Sequence, residues 1–203
     1  MNNIRLIALL VLIVAFPLTL WLPPWTSWED GPIENAQAVV LFIGAIVAVV
    51  YAVKSPDRQR FFWLAVVPVW LVMCARELSW GAVLLDPLSV TDHGAQYSSS
   101  QLWYRPYVKP GLIAVLVLAI ASFVRGGGVG LLSAMLMQRR FPFGDLVGCA
   151  VGMLLSAAAE GHMGLSLGHW GEKPVMEETA ELAAYIFLLS AQACVHRALR
   201  GLC

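Results

Sequence analysis

Four glutamates, Glu34, Glu77, Glu160 and Glu181, each stand within or at the edge of a long apolar stretch. An ionised side chain is costly there unless it faces a partner or a water-filled cavity. At about 1.5 Å of helical rise per residue, Glu77 lies about 24 Å beyond Phe61, and Glu160 about 24 Å beyond Gly144. Glu181 lies the same distance before Arg197, and Glu34, about 30 Å before Lys54, sits at the rim. Four separate segments thus bring a carboxylate to nearly one level, just inside one face of a hydrocarbon core about 30 Å thick. Carboxylates sharing a layer repel one another, and shared protons, a basic neighbour or a bound cation relieve this. Arg76, beside Glu77, is expected to neutralise one acid at most. His162, two residues after Glu160, and His169 are placed as ligands or proton carriers. A divalent metal ion held by Glu34, Glu77, Glu160, His162 and Glu181 is the economical solution. Glu77 and Glu160 are then the candidate acid/base groups, and a metal-activated water at headgroup level supplies the chemistry.

Local spacing refines this set. In M-E-E-T-A-E-L, Glu177 and Glu181 are i,i+4 and Glu178 and Glu181 are i,i+3, so Glu181 shares a helical face with both. Glu177 and Glu178 also fit a first-turn role at the positive end of the helix dipole. Glu181, one turn deeper, does not. Glu160 and His162 converge only if the helix ends at Gly161. For Glu34 a capping role and a ligand role stand side by side, and Gln37, one turn inward, extends its polar face. Glu29, Asp86, Asp92 and Glu172 read as solvated loop acids, His93 as loop decoration, and His196 as a partner for a helix C-terminus.

The elements that must carry these residues are helices in a bilayer. Of 203 residues, 59% are hydrophobic and 13% charged, with a mean hydropathy of +0.73, far from an ordinary soluble domain. Thirteen basic residues balance thirteen acidic ones, which argues against nucleic acid as a partner. Six apolar stretches, at 4–22, 34–53, 61–85, 108–124, 144–159 and 177–196, meet or approach the roughly 20 residues a spanning helix needs. The expected fold is therefore all-α, a single polytopic transmembrane bundle over residues 1–203. The first stretch ends in L-W-L-P-P-W without a small-x-small cleavage pattern, so it reads as a span and not a secretory leader. The glycine triplet 126–128 should break the fourth helix, leaving 129–138 as a short interfacial or re-entrant helix.

With the N-terminus inside, nine basic residues, from Arg5 to Arg200, fall on the inner face, and Arg76, Arg105, Lys109 and Lys173 on the outer. Only Asp57 and Asp145 go inside, so the formal charge is +7 inside and −7 outside. That is the positive-inside pattern, with both termini cytoplasmic. Trp21, Trp25, Trp28, Trp80, Trp103 and Trp170 gather near the outer interface, as amphipathic rings do. The four cysteines avoid the outer loops and read as small apolar fillers. The one sizeable outer loop, before the fourth span, is rich in serine and aromatic residues. Trp103 and Arg105 there are candidate lipid-headgroup contacts, or else a plain interfacial anchor. Phosphate-binding glycine loops, nucleophile elbows, HExxH and CxxC are missing from the sequence.

R-E-L-S-W-G (76–81), E-D-G-P-I-E (29–34) and E-E-T-A-E (177–181) resemble elements of a group of bacterial multi-pass membrane proteins of unassigned function. There an acidic turn opens the second span and E-E-x-S-W-G-Q closes the third. Here Arg76 replaces the first acid and Ala82 the glutamine. The acidic turn S-W-E-D-G-P-I-E-N is also remotely similar to that of alkaline ceramidases, membrane amide hydrolases with a zinc site. Their histidine pattern is not matched, so their zinc chemistry is not carried over. The resemblance implies a bacterial cytoplasmic-membrane protein with membrane lipids as surroundings. Three functions follow as expectations: a divalent-cation site for binding or hydrolysing a lipid-like substrate, an accessory or assembly subunit of a membrane complex, and a proton- or cation-coupled carrier. The carrier needs polar groups deeper in the membrane, and the inner halves of the spans offer almost none.

Overall fold

A computed structural model describes residues 3–91, 94–161 and 173–201. It is helical nearly throughout: α1 (Asn3–Leu18), α2 (Pro32–Lys54), α3 (Asp57–Glu77), α4 (Arg105–Arg125), α5 (Gly128–Met137), α6 (Phe143–Glu160) and α7 (Lys173–Arg200). Five of these, α2, α3, α4, α6 and α7, are long and apolar enough to cross a membrane. The first stretch gives a shorter helix than expected. α1 stops at Leu18, where the Thr19 hydroxyl donates to the Phe16 carbonyl (2.7 Å), and Pro23 and Pro24 then offer no N–H to continue. The third stretch is also cut short. α3 ends at Glu77 and not near residue 85, because Ser79, Trp80 and Gly81 adopt left-handed backbone (φ 46°, 60° and 95°) and lead into a 3-10 turn, Ser79–Leu84. The glycine break appears where expected: Gly126 caps α4, Gly127 is left-handed (φ 62°), and α5 follows at once. A feature absent from the all-α expectation is a small antiparallel hairpin, β1 (Ser89–Thr91) and β2 (Gly94–Gln96), in the loop before α4. The indole of Trp28 lies against Gly94, where any Cβ would clash at 2.6 Å.

α7 is the central post. It packs against α1, α2 and α6, while α3 bridges α2 and α4. In its most apolar window 56% of α7 is buried, against 6% for α4, which is therefore the peripheral helix. The seams are made by small residues. Ala38, Ala45 and Ala48 of α2 and Ala183, Ala184 and Ala191 of α7 are buried, which lets backbones approach closely. Gly44 gives the indole of Trp70 its place, and Gln192 accepts from Trp70 Nε1 while donating to the Gly44 carbonyl at 3.0 Å. This clasp ties α2, α3 and α7 at mid-height.

The two ends of the bundle differ in charge. At one end the start of α1 meets the start of α6 through Arg5 and Asp145, Gln59 donates to the Leu199 carbonyl (3.2 Å), and Arg140 reaches the Gly201 carbonyl (3.3 Å). Arg125 stacks over Phe61 there, 4.6 Å from the ring centroid. At the other end the start of α2, the end of α3 and the start of α7 bring glutamates together. Consecutive long helices thus run in alternating directions, and most of the arginines gather at one end and most of the glutamates at the other, with Asp145 and Arg76 as the exceptions paired within the opposite charge.

Candidate functional site

Glu77 is the deepest of the acids. As the last residue of α3 it is buried, and the Tyr185 hydroxyl donates to its Oε1 at 2.9 Å from α7. Arg76 also reaches this oxygen, at 3.3 Å, and the same Nη2 stands 3.6 Å from Glu181 Oε1. Arg76 thus still neutralises one charge at most, but it shares that charge between two acids and not with Glu77 alone. Placed on the last turn of α3, its guanidinium spans the seam to α7 and serves two carboxylates. Glu181 is half-buried one turn before Tyr185, so acid and phenol share the α7 face turned to α3.

Glu34 sits in the first turn of α2, behind Gly31 as N-cap and Pro32 at the first helical position. Its Oε2 accepts from the backbone N–H of Asp30, a capping arrangement. Its carboxylate remains within electrostatic reach of Glu77 and Glu29. Gln37, fully buried one turn later, donates Nε2 both to the Glu178 carbonyl and to Glu178 Oε2, each at 2.8 Å. Its own Oε1 is buried and accepts no hydrogen bond among the described residues. Glu160 closes α6, exposed, where Gly161 turns the chain left-handed (φ 83°). It is near enough to Glu177 and Glu181 to act on both electrostatically. Glu178 couples in turn to Glu34, Glu177 and Glu181.

The structure therefore gathers Glu34, Glu77, Glu160 and Glu181 at one end of the bundle and adds Glu177 and Glu178 to them. Among the described residues, no three His, Cys, Asp or Glu side chains converge as a ready ligand set. His162, His169, Glu172, Asp92, His93 and Trp170 lie outside the described residues. Trp103 and Arg105, the candidate headgroup contacts, are exposed at the start of α4. They join the site's rim through Tyr104, whose hydroxyl donates to the Trp80 carbonyl (2.6 Å) and whose ring meets Trp103 edge-on at 5.5 Å.

Two residues change role. Glu29, expected as a solvated loop acid, accepts from Ser79 Oγ (3.0 Å) and from the Tyr97 backbone N–H (2.9 Å). It thereby pins the left-handed turn after α3 and the end of the hairpin loop to the segment before α2. Tyr185 was not singled out from the sequence. Its i,i+4 spacing from Glu181 was the available signal, since that spacing sends the phenol one turn further along the same face.

Six carboxylates and one guanidinium thus stand on helix ends at the same end of the bundle. Clustered carboxylates attract cations, and their oxygens are the donors that hard divalent ions take. No family model, curated protein or solved structure matches the chain.

Proposed function

We propose that the chain is a six-pass protein of a bacterial cytoplasmic membrane, with both termini cytoplasmic. Its outward acidic end binds a divalent cation at the level of the lipid headgroups and serves the binding or hydrolysis of a lipid-like substrate. The observation that carries this reading is the gathering of six glutamates from α2, α3, α6 and α7 at one end of the bundle, with Arg76 between Glu77 and Glu181. Positive-inside charge placement gives the orientation, with α1 as the sixth and shortest pass. Glu160, Glu177 and Glu181, at the ends of α6 and α7, would hold the ion, and His162 is the further ligand expected from the sequence. Glu77, held by Tyr185 and Arg76, positions Glu181 through the shared guanidinium. The donor set is all oxygen apart from the imidazole, which favours calcium, magnesium or manganese over zinc. A bound cation would polarise a phosphoryl or acyl oxygen presented at that depth.

The test is calorimetric titration of the detergent-solubilised full chain with calcium, magnesium, manganese and zinc. Saturable binding of one of the first three, weakened about tenfold or more in Glu177→Gln/Glu181→Gln, is expected. No binding by any of them, with thermal stability unchanged by chelator, defeats the proposal.

A second reading, the accessory or assembly subunit, is favoured by one specific observation. Glu77 is buried and already satisfied by a phenol and a guanidinium, as an interhelical hydrogen-bond partner would be. It predicts that the chain co-purifies with a larger membrane complex and binds no cation.

A further inference from the structure

Far from the acids, α3, α4, α6 and α7 enclose an apolar cavity of about 440 Å³. Its walls include Val66 and Val69 of α3, Ala119 and Phe123 of α4, and Leu188 and Val195 of α7, with Leu132 of α5 at its floor. The lining is apolar apart from Gln192, whose amide is committed to Trp70 and the Gly44 carbonyl, and the buried indole of Trp63, whose Nε1 has no hydrogen-bond partner among the described residues. α4 packs on α3 and α6 on α7, which leaves the side between α4 and α6 without a helix seam. A second helix, about 10–12 Å across with its side chains, does not fit the space, whereas about 300–1,000 Å³ is the usual range for small-ligand sites.

The cavity's lower rim is basic. Phe141 and Pro142, which line it, directly follow Arg139 and Arg140, and Arg125 stands two residues past Phe123. All three arginines are exposed at the same end of the bundle. We propose that this cavity is a binding site for an anionic phospholipid of the leaflet at the basic end: an acyl chain enters between α4 and α6, and the headgroup phosphate pairs with Arg139, Arg140 and Arg125. The inference rests on the membrane embedding proposed above and not on the cation site, which lies at the opposite end and can fail without affecting it.

Electron spin resonance of the full chain in vesicles tests this, with acyl-chain spin-labelled phosphatidylglycerol and phosphatidylcholine as probes. A motionally restricted, saturable phosphatidylglycerol component is expected, about 125-fold stronger than the phosphatidylcholine one at about fivefold for each of the three arginines, and reduced to about fivefold in Arg139→Gln/Arg140→Gln, where Arg125 remains. Ala119→Trp, which fills the cavity, should abolish it, and Leu118→Trp, on the lipid-facing side of α4, should leave it intact. Should Ala119→Trp fail to fold, Ile120→Trp, an exposed lining residue, takes its place. A restricted component unchanged in the folded cavity-filling variant overturns the proposal. So does equal retention of the two lipids, or a concentration-dependent dimer that the cavity-filling variant dissolves, which would make a second copy the occupant.

Discussion

The Arg5–Asp145 pair joins the first turn of α1 to the first turn of α6 by two parallel hydrogen bonds, Nε to Oδ1 at 2.7 Å and Nη2 to Oδ2 at 2.5 Å. Asp145 is fully buried, and the Ser190 hydroxyl adds a further hydrogen bond from α7. A carboxylate so placed depends on its guanidinium, because removing one partner strands the other charge. Arg5→Ala should therefore destabilise the protein by about 3 kcal/mol. The double replacement Arg5→Met/Asp145→Leu should recover most of that loss, since an apolar pair leaves no buried charge. Thermal unfolding of the three variants in detergent measures this, and equal midpoints for Arg5→Ala and the parent would show the pair to be idle. Tyr185→Phe addresses the other end. It removes a hydrogen bond to a buried carboxylate, worth about 1.5–3 kcal/mol, and loosens the shared Arg76 that orders Glu181. Cation affinity in the same titration should fall about tenfold, as for partners that orient a ligand. A stability loss with unaltered affinity would assign the phenol to packing alone.

Along the α6–α7 seam glycines let the two helices approach closely. Gly148 and Gly152, four residues apart, face α7, where a Cβ at Gly148 would stand 2.6 Å from the Phe187 ring and one at Gly152 2.9 Å from the Ala180 carbonyl oxygen. Spacing small residues every fourth position lays them along one helical stripe, the pattern by which helices meet in lipid. Gly148→Ala meets a ring that can turn, whereas Gly152→Ala meets backbone, so the second should cost more. An overpacking loss of about 1–3 kcal/mol is expected for Gly152→Ala, with a smaller one for Gly148→Ala. Reversal of that order in thermal unfolding would show that α6 slides to accommodate. Elements were legible in the sequence where a residue type dictates backbone. Glycines 126–128 announced the α4–α5 break because they can adopt left-handed φ without steric cost. The end of α3 was hidden, since residues 78–85 are as apolar as the helix before them, and two of the three left-handed residues there, Ser79 and Trp80, are not glycine. The shared depth of the four glutamates was legible from rise per residue alone. The bracing by Arg76, Tyr185 and Glu29 was not, because it depends on how α3 and α7 are rotated about their axes, which spacing along one helix does not fix.

At the scale of the whole molecule, charge polarity and helix direction are one property. Arg5, Arg125, Arg140 and Arg200 share an end because α1 and α6 begin where α4 and α7 finish, and the glutamates share the other for the same reason. In the proposed embedding, a basic end kept on the cytoplasmic side by the insertion bias would turn the acidic end outward. In a cysteine-free background, then, Ser99→Cys in the turn before α4 should react with a membrane-impermeant maleimide in intact cells. Gly127→Cys and Gln138→Cys, at the two ends of α5, should react only after lysis. The effect is all-or-none at each site, because an impermeant reagent reads side and not depth. Labelling of both classes in intact cells would mean that α5 lies at the outer face, and the odd number of passes this implies would separate the termini. Full inversion, with Ser99→Cys protected and the α5 positions open, would set the acidic end against the cytoplasm. The cation it holds would then come from the cytoplasm, and the anionic lipid at the arginine rim would belong to the outer leaflet.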